Sequence, residues 1–256
     1  MPLPVPDRTL LTTPPLVVTL VQVRFDVRET VASVETGTAL LERASALGLS
    51  EMTQIFNQVM VIPAPEQAQP ARQPAGWRFV ARDGSNLTLL ADQMTFETPS
   101  YRGWDAFAAT WAACLDALAE VVAPSLTTRL GLRYVNRITP AGVTSAADLR
   151  SGELVDPAFL GPSVESALSE YVTGAEGRVA LTFPEQIDAL VQHGVVREGD
   201  TQVFVLDIDC FRTQGSRFER DQILAASNEL NQCSLQIFQT VVREPLRNEM
   251  KKAETA

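Results

Sequence analysis

The stretch Leu126-Thr127-Thr128-Arg129-Leu130-Gly131-Leu132-Arg133-Tyr134-Val135-Asn136-Arg137-Ile138-Thr139 alternates in character along its length. Successive side chains of a β-strand point to opposite faces. Arg129, Gly131, Arg133, Val135 and Arg137 therefore share one face, and Leu130, Leu132, Tyr134 and Ile138 take the other. This predicts a long half-buried strand closed by Pro140, with guanidinium roots spaced about 13 Å apart on its polar side. Such a strand needs neighbours to pair with and a second layer to cover its apolar side.

The flanking sequence supplies both. Leu16 to Val27 alternates as a strand, with Arg24 and Asp26 together on its polar face. Val34, Leu40, Leu41, Ala44 and Leu47 recur at helical spacing behind Ser33, a residue suited to an N-cap. Asn57 to Ile62 reads as a short strand, and Pro63 to Gly76 as an aperiodic loop. Trp77 to Arg82 and Leu87 to Glu97 read as two strands joined by the turn Asp83-Gly84-Ser85-Asn86, which puts Asp92 on a strand. Trp104, Phe107, Trp111, Leu115, Leu118 and Val122 form the buried stripe of a helix ended by Pro124.

The remainder repeats this grammar. A Gly- and Pro-punctuated connection over 141–162 and a short helix at Val164 to Glu170 lead into strands Val179 to Phe183 and Val203 to Arg212. His193 falls in a loop between those strands. A helix over Glu219 to Arg243 stops at Pro245, and the tail from Arg247 onward is expected to fray. Asp92, Phe96 and Thr98 recur as Asp207, Phe211 and Thr213 at a constant offset, each set leading into a long helix. The expected fold is α+β: an antiparallel sheet with long helices packed on one face, readable as two related β-β-α halves. The expected organisation is an extended N-terminal arm at 1–15, a first half at 16–140, a second at 141–246 sharing the sheet, and a charged tail at 247–256.

Composition narrows the chemistry. In 256 residues, 31 acidic side chains outnumber 21 basic ones, for a formal charge of −10. Lys251 and Lys252 are the only lysines, and His193 is the only histidine. A body without lysine excludes a Walker A site, a Schiff base and a kinase strand lysine. One histidine excludes histidine-rich metal centres. Cys114, Cys210 and Cys233 are widely spaced in apolar segments and read as reduced thiols. With no secretory pattern at Met1 to Pro15 and no apolar run long enough to span a bilayer, the expected location is cytoplasmic.

The candidate site residues lie on the polar strand faces. Arg129, Arg133, Arg137 and Arg24 form a stripe that could hold an anionic ligand. Asp207 and Asp209 share one face of Val205-Leu206-Asp207-Ile208-Asp209, and with Asp92 they are the candidate ligands for a divalent cation. Cross-strand ion pairing of the same arginines and aspartates is the structural alternative. The aromatic run Trp104, Phe107 and Trp111 fits a core better than a pocket. A serine elbow of the Gly-x-Ser-x-Gly type is missing, and His193 reads as a surface residue.

The run Gly131-Leu132-Arg133-Tyr134-Val135-Asn136-Arg137 resembles the signature of a sporadically distributed prokaryotic family of similar length whose function is not assigned. Pro15-Leu16-Val17-Val18 with Arg24-Phe25, Tyr101-x-x-Trp104-x-x-Phe107, and Val205 to Asp209 extend the resemblance over nearly the whole chain. Where the resemblance implies a Leu-His pair, this chain has Leu230-Asn231. It also implies the context of a mobile or phage-defence type cassette, and it carries no catalytic residues over.

The reading that follows is a non-catalytic binding or partner protein, an accessory or regulatory component with no predicted cofactor. A protein partner is expected and self-association is left open, while the acidic charge disfavours nucleic acid and nothing points to a membrane. The alternative is a metal-dependent hydrolase or small-anion-binding enzyme working on the Asp/Arg sheet face.

Overall fold

A computed structural model describes residues 3, 5–9, 11–61, 69–139, 148, 153–161, 167, 171, 174–199 and 201–251. Among these residues the fold is α+β, with ten strands and four α-helices. The chain divides into two compact units: Leu20–Leu130 with Thr213–Ala225, and Met1–Thr19 with Gly131–Arg212 and Ala226–Ala256. Strands β1 (Leu16–Phe25) and β6 (Leu126–Ile138) contribute residues to both.

In the first unit the strands are ordered β2-β3-β4-β5-β1-β6, with β2 at Glu51–Val61, β3 at Gln69–Val80, β4 at Asn86–Leu90 and β5 at Gln93–Thr98. Each consecutive pair from β2 to β5 is antiparallel. Helix α1 (Val34–Ser45) begins where expected, because the Ser33 hydroxyl accepts the Thr36 N–H at 3.2 Å. That bond satisfies one of the amides a helix start leaves open. Trp77 on β3 is buried beneath the start of α1, and its indole N–H donates to the Val31 carbonyl at 2.9 Å. Gly37 makes this packing possible: a Cβ there would stand 2.5 Å from the Trp77 ring.

Helix α2 (Trp104–Val121) buries Phe107, Trp111, Cys114, Leu115 and Leu118. Phe107 meets Phe96 of β5 with ring centroids 5.4 Å apart. Burial pushes the Cys114 thiol up to about 12, so it is a packing residue and not a nucleophile. The short strand β10 (Ser216–Arg217) pairs with the start of β6 at Thr127 and Leu126.

The second unit pairs β6 with β9 (Thr201–Arg212), β8 (Ile187–Glu198) and β7 (Gly174–Phe183) in that order. Its inner face is apolar, with Leu132, Phe204, Leu206, Ile208 and Cys210 fully buried. Helix α3 (Arg220–Val241) covers part of that face with Leu230, Cys233, Ile237 and Val241. Cys210 on β9 and Cys233 on α3 are hydrogen-bonded, and both are free thiols. That bond, and then burial, hold the Cys210 thiol well above its ordinary value.

Several expectations need correction. Leu87–Glu97 is two strands, because the chain reverses at Ala91-Asp92; Leu90 pairs with Gln93 across that turn. Asp92 therefore sits in a turn, where its carbonyl accepts the Phe25 N–H at 2.9 Å. Gln69–Gly76, expected as loop, belongs to β3, while 62–68 lie outside the described residues. Most of the connection at 141–162 and nearly all of the helix expected at Val164 to Glu170 also lie outside them. His193 is on β8, not in a loop. Its ring covers Gly177 of β7, and its Nδ1 lies 2.8 Å from the Phe159 carbonyl.

The segment from Arg247 does not fray at once. Helix α4 (Glu244–Lys251) holds Pro245 in its first turn, where a missing N–H costs nothing. It buries Leu246 and Met250. The Met250 carbonyl accepts the Thr12 and Thr13 N–H groups at 2.9 and 3.1 Å, and Lys251 pairs with Asp7 at 2.6 Å, fastening the N-terminal residues to this helix.

Asp26 fixes the first unit at one corner. Its Oδ1 accepts the backbone N–H groups of Ser125 and Leu126, each at 2.8 Å. Burial opposes ionisation, but the Leu126 and Ser125 amides outweigh it and Arg28 adds to them, so the carboxyl is held below its ordinary 3.8. A depressed folded-state pKa gives stability that is complete above the ordinary value and is lost as pH falls through the folded one. Asp26→Asn should therefore cost about 1 kcal/mol at neutral pH. Urea titrations at successive pH values should show that difference shrinking below the ordinary carboxylate pKa; a pH-independent difference would contradict the assignment.

Candidate functional site

The outward face of β6 carries the predicted arginines, and each has a neighbour. In the first unit, Arg129 Nη1 and Arg24 Nε both donate to the Gln22 Oε1, at 3.2 and 3.3 Å. Gln22 in turn donates to Thr95 on β5 at 3.1 Å. One side-chain amide on β1 thus links two guanidinium groups to the neighbouring strand.

In the second unit the contacts are ionic. Arg133 meets Asp207 through two parallel bonds, Nε to Oδ1 at 2.8 Å and Nη2 to Oδ2 at 2.5 Å. Arg137 Nη2 reaches both oxygens of Glu198, at 2.6 and 2.7 Å. The Asp207 side chain is 12% exposed, whereas those of Arg133 and Arg137 are 41% and 43% exposed. The carboxylate is buried beneath a guanidinium that still faces water.

The inward side of the same strand is equally engaged. The Tyr134 hydroxyl donates to Asn231 Oδ1 on α3 at 2.8 Å, with both residues buried. Asn136 Nδ2 donates to the Leu206 carbonyl on β9 at 3.1 Å, so it ties strand to strand, where a loop contact or helix cap had been expected. Position 231 is where the resemblance implies a histidine, and in this chain the asparagine supplies the acceptor for Tyr134. Asn231→Leu should lower stability by about 1–2 kcal/mol by leaving a buried hydroxyl unpaired. Asn231→His should lose less, since a neutral imidazole also accepts. Equal losses in thermal unfolding would show that shape, not the hydrogen bond, governs this position.

The three candidate carboxylates do not share a setting. Asp207 and Asp209 lie two residues apart on β9 in the second unit, and both Asp207 oxygens are taken by Arg133. Asp92 lies in the β4–β5 turn of the first unit. Among the described residues no group of three His, Cys, Asp or Glu side chains is arranged to hold a metal ion. No helix among them is long and apolar enough to cross a membrane.

One concave feature has no counterpart in the sequence reading. In the first unit an open depression of about 680 Å³ is lined by Phe96, Tyr101 and Phe107, with Arg82, Arg102 and Asp83 at its rim. Its floor is polar and ordered: Ser85 and Thr98 share a 2.8 Å hydroxyl bond, and Thr98 Oγ1 accepts the Ser100 N–H at 3.0 Å. The walls come from four separate chain segments, so no local spacing announces them.

No family model matches this chain, and no curated protein matches it. Among solved structures, the di-domain ARO/CYC StfQ from the steffimycin biosynthetic pathway aligns with a TM-score of 0.13 and 10% identity, covering 77% of this chain and 93% of that one. The S. pombe Pct1 RNA triphosphatase in complex with the Spt5 CTD aligns with a TM-score of 0.11 and 8% identity, covering 95% and 88%. At such scores neither neighbour bears on the fold or activity of this chain.

Proposed function

We propose that this protein is a non-catalytic, cytoplasmic binding protein that uses the outward face of β6 and β9 to recognise a protein partner. The observation that carries the reading is the Arg133–Asp207 and Arg137–Glu198 pairing, which holds two half-exposed guanidinium groups in fixed orientations. Arginine is enriched at protein interfaces. A guanidinium already held by a carboxylate loses little rotamer freedom when a partner docks. The resemblance of Gly131 to Arg137 to a patchily distributed prokaryotic family supports an accessory or regulatory role in a mobile or phage-defence type cassette. The strand-to-helix steps from β5 into α2 and from β9 into α3 support two related halves, which superposition of those segments would test.

The experiment is direct binding between this protein and each purified product of its neighbouring genes. One of them should bind, and Arg137→Glu should weaken that binding at least about tenfold with the fold retained. Failure of every neighbour to bind would overturn the reading. So would Mg²⁺- or Mn²⁺-dependent hydrolysis abolished by Asp207→Asn and Asp209→Asn, which is the outcome the enzyme alternative requires.

A further inference from the structure

The sheet path ends at β2 in the first unit and at β7 in the second, and the two edges differ in kind. An edge strand leaves a row of backbone amides and carbonyls able to pair with another chain. The β2 edge is interrupted: its register with β3 shifts between Ile55 and Phe56. A bulge of this sort bends an edge and discourages pairing. The β7 edge has no such protection. It runs ten residues, Gly-Ala-Glu-Gly-Arg-Val-Ala-Leu-Thr-Phe, without a proline, and its ladder with β8 is regular from Gly174 to Phe183. No described strand pairs with its other side.

The residues of β7 alternate between exposed and half-buried. Ala175, Gly177, Val179, Leu181 and Phe183 take the half-buried face, and Glu176, Arg178 and Thr182 the exposed one. On the exposed face the two charges flank Gly177. A second β7 laid antiparallel across a two-fold axis normal to the sheet must pair some residue with its own copy. Centring at Glu176 opposes two carboxylates, and centring at Arg178 opposes two guanidinium groups. Centring at Gly177 sets Glu176 against the copy's Arg178 and Arg178 against the copy's Glu176, while Ala175 meets Val179 on the other face. Opposite charges directly across a strand pair stabilise it and like charges destabilise it. The His193 ring already fills the space above Gly177, so the centre of such a pair needs no side chain from β7 itself.

We propose that the protein self-associates through β7, forming a two-fold dimer in which the strands pair antiparallel about Gly177. The occupant of this edge is a second copy of the same chain. The pairing stands apart from the partner-binding reading, since it uses neither β6 nor the arginine ladder.

The test is the oligomeric state of the full chain, measured by sedimentation equilibrium over a range of concentrations. The wild type should dimerise. Arg178→Glu and Glu176→Arg should each weaken dimerisation by roughly tenfold, because each converts two attractive cross-strand pairs into two repulsive ones. The double exchange Glu176→Arg with Arg178→Glu should restore it, and that recovery separates charge pairing from misfolding of a single variant. A chain that stays monomeric at every concentration overturns the proposal. A dimer indifferent to the single exchanges, or one the double exchange fails to restore, overturns it equally.

Discussion

Trp111→Ala should lower the stability of the protein by about 3–5 kcal/mol, the range for deleting a fully buried large aromatic. Trp111 has no exposed surface and stands midway along the stripe that α2 buries, one turn from Phe107 on one side and Leu115 on the other. Removing the indole loses its transfer free energy and leaves a void that the surrounding side chains cannot collapse to fill. Trp111→Phe should cost less, because it keeps part of the volume. Trp104, at the same helix's exposed start, is half-buried, and its truncation should cost clearly less than that of Trp111. Urea unfolding followed by far-ultraviolet circular dichroism measures all three. A Trp111→Ala loss below about 1 kcal/mol would show that this face is not core.

The elements that were legible in the sequence are those in which one period runs without interruption. β6 shows strict alternation over its length, and its ends fall within a residue of the pattern. α2 shows the three-and-four rhythm between a glycine and a proline. α1 carries a serine cap whose geometry holds. Where the reading failed, a local signal had a different physical cause. Gln192-His193-Gly194 looks like a turn, yet Gly194 is there because a Cβ would stand 2.7 Å from the Ala175 carbonyl of the adjoining strand. The alternation of Ile187, Ala189, Val191, His193 and Val195 passes through that glycine undisturbed. Ala91-Asp92 makes the opposite error: it reverses the chain without the glycine that usually marks so tight a turn.

The site followed the same rule. That Arg129, Arg133 and Arg137 share a face follows from the period of two, and the period holds. What they touch does not follow from it, because their neighbours come from strands distant in sequence. Gln22, a residue with no reason to stand out in the sequence, turns out to hold both Arg24 and Arg129. Glu198 lies at the end of a strand that was read as loop. The depression beside Tyr101 depends on four segments meeting, and only tertiary structure brings them together.

Arg133 and Asp207 allow the ladder to be weighed, since the two ends of the pair sit in unequal surroundings. Removing Arg133 leaves a carboxylate that is 12% exposed without its counter-charge, whereas removing Asp207 leaves a guanidinium that is 41% exposed and able to turn to water. Breaking a buried pair is costly in proportion to the charge left stranded. Arg133→Ala should therefore cost about 3 kcal/mol and Asp207→Ala roughly half as much. Arg133→Met combined with Asp207→Leu should recover most of the loss, because apolar replacements of similar volume remove both desolvation penalties together. Chemical denaturation of the single and double variants gives the coupling energy, expected at about 1–3 kcal/mol. A coupling near zero would mean that water screens the pair and that the ladder does not orient Arg133. The fixed guanidinium on which the proposed docking face depends would then lose its basis.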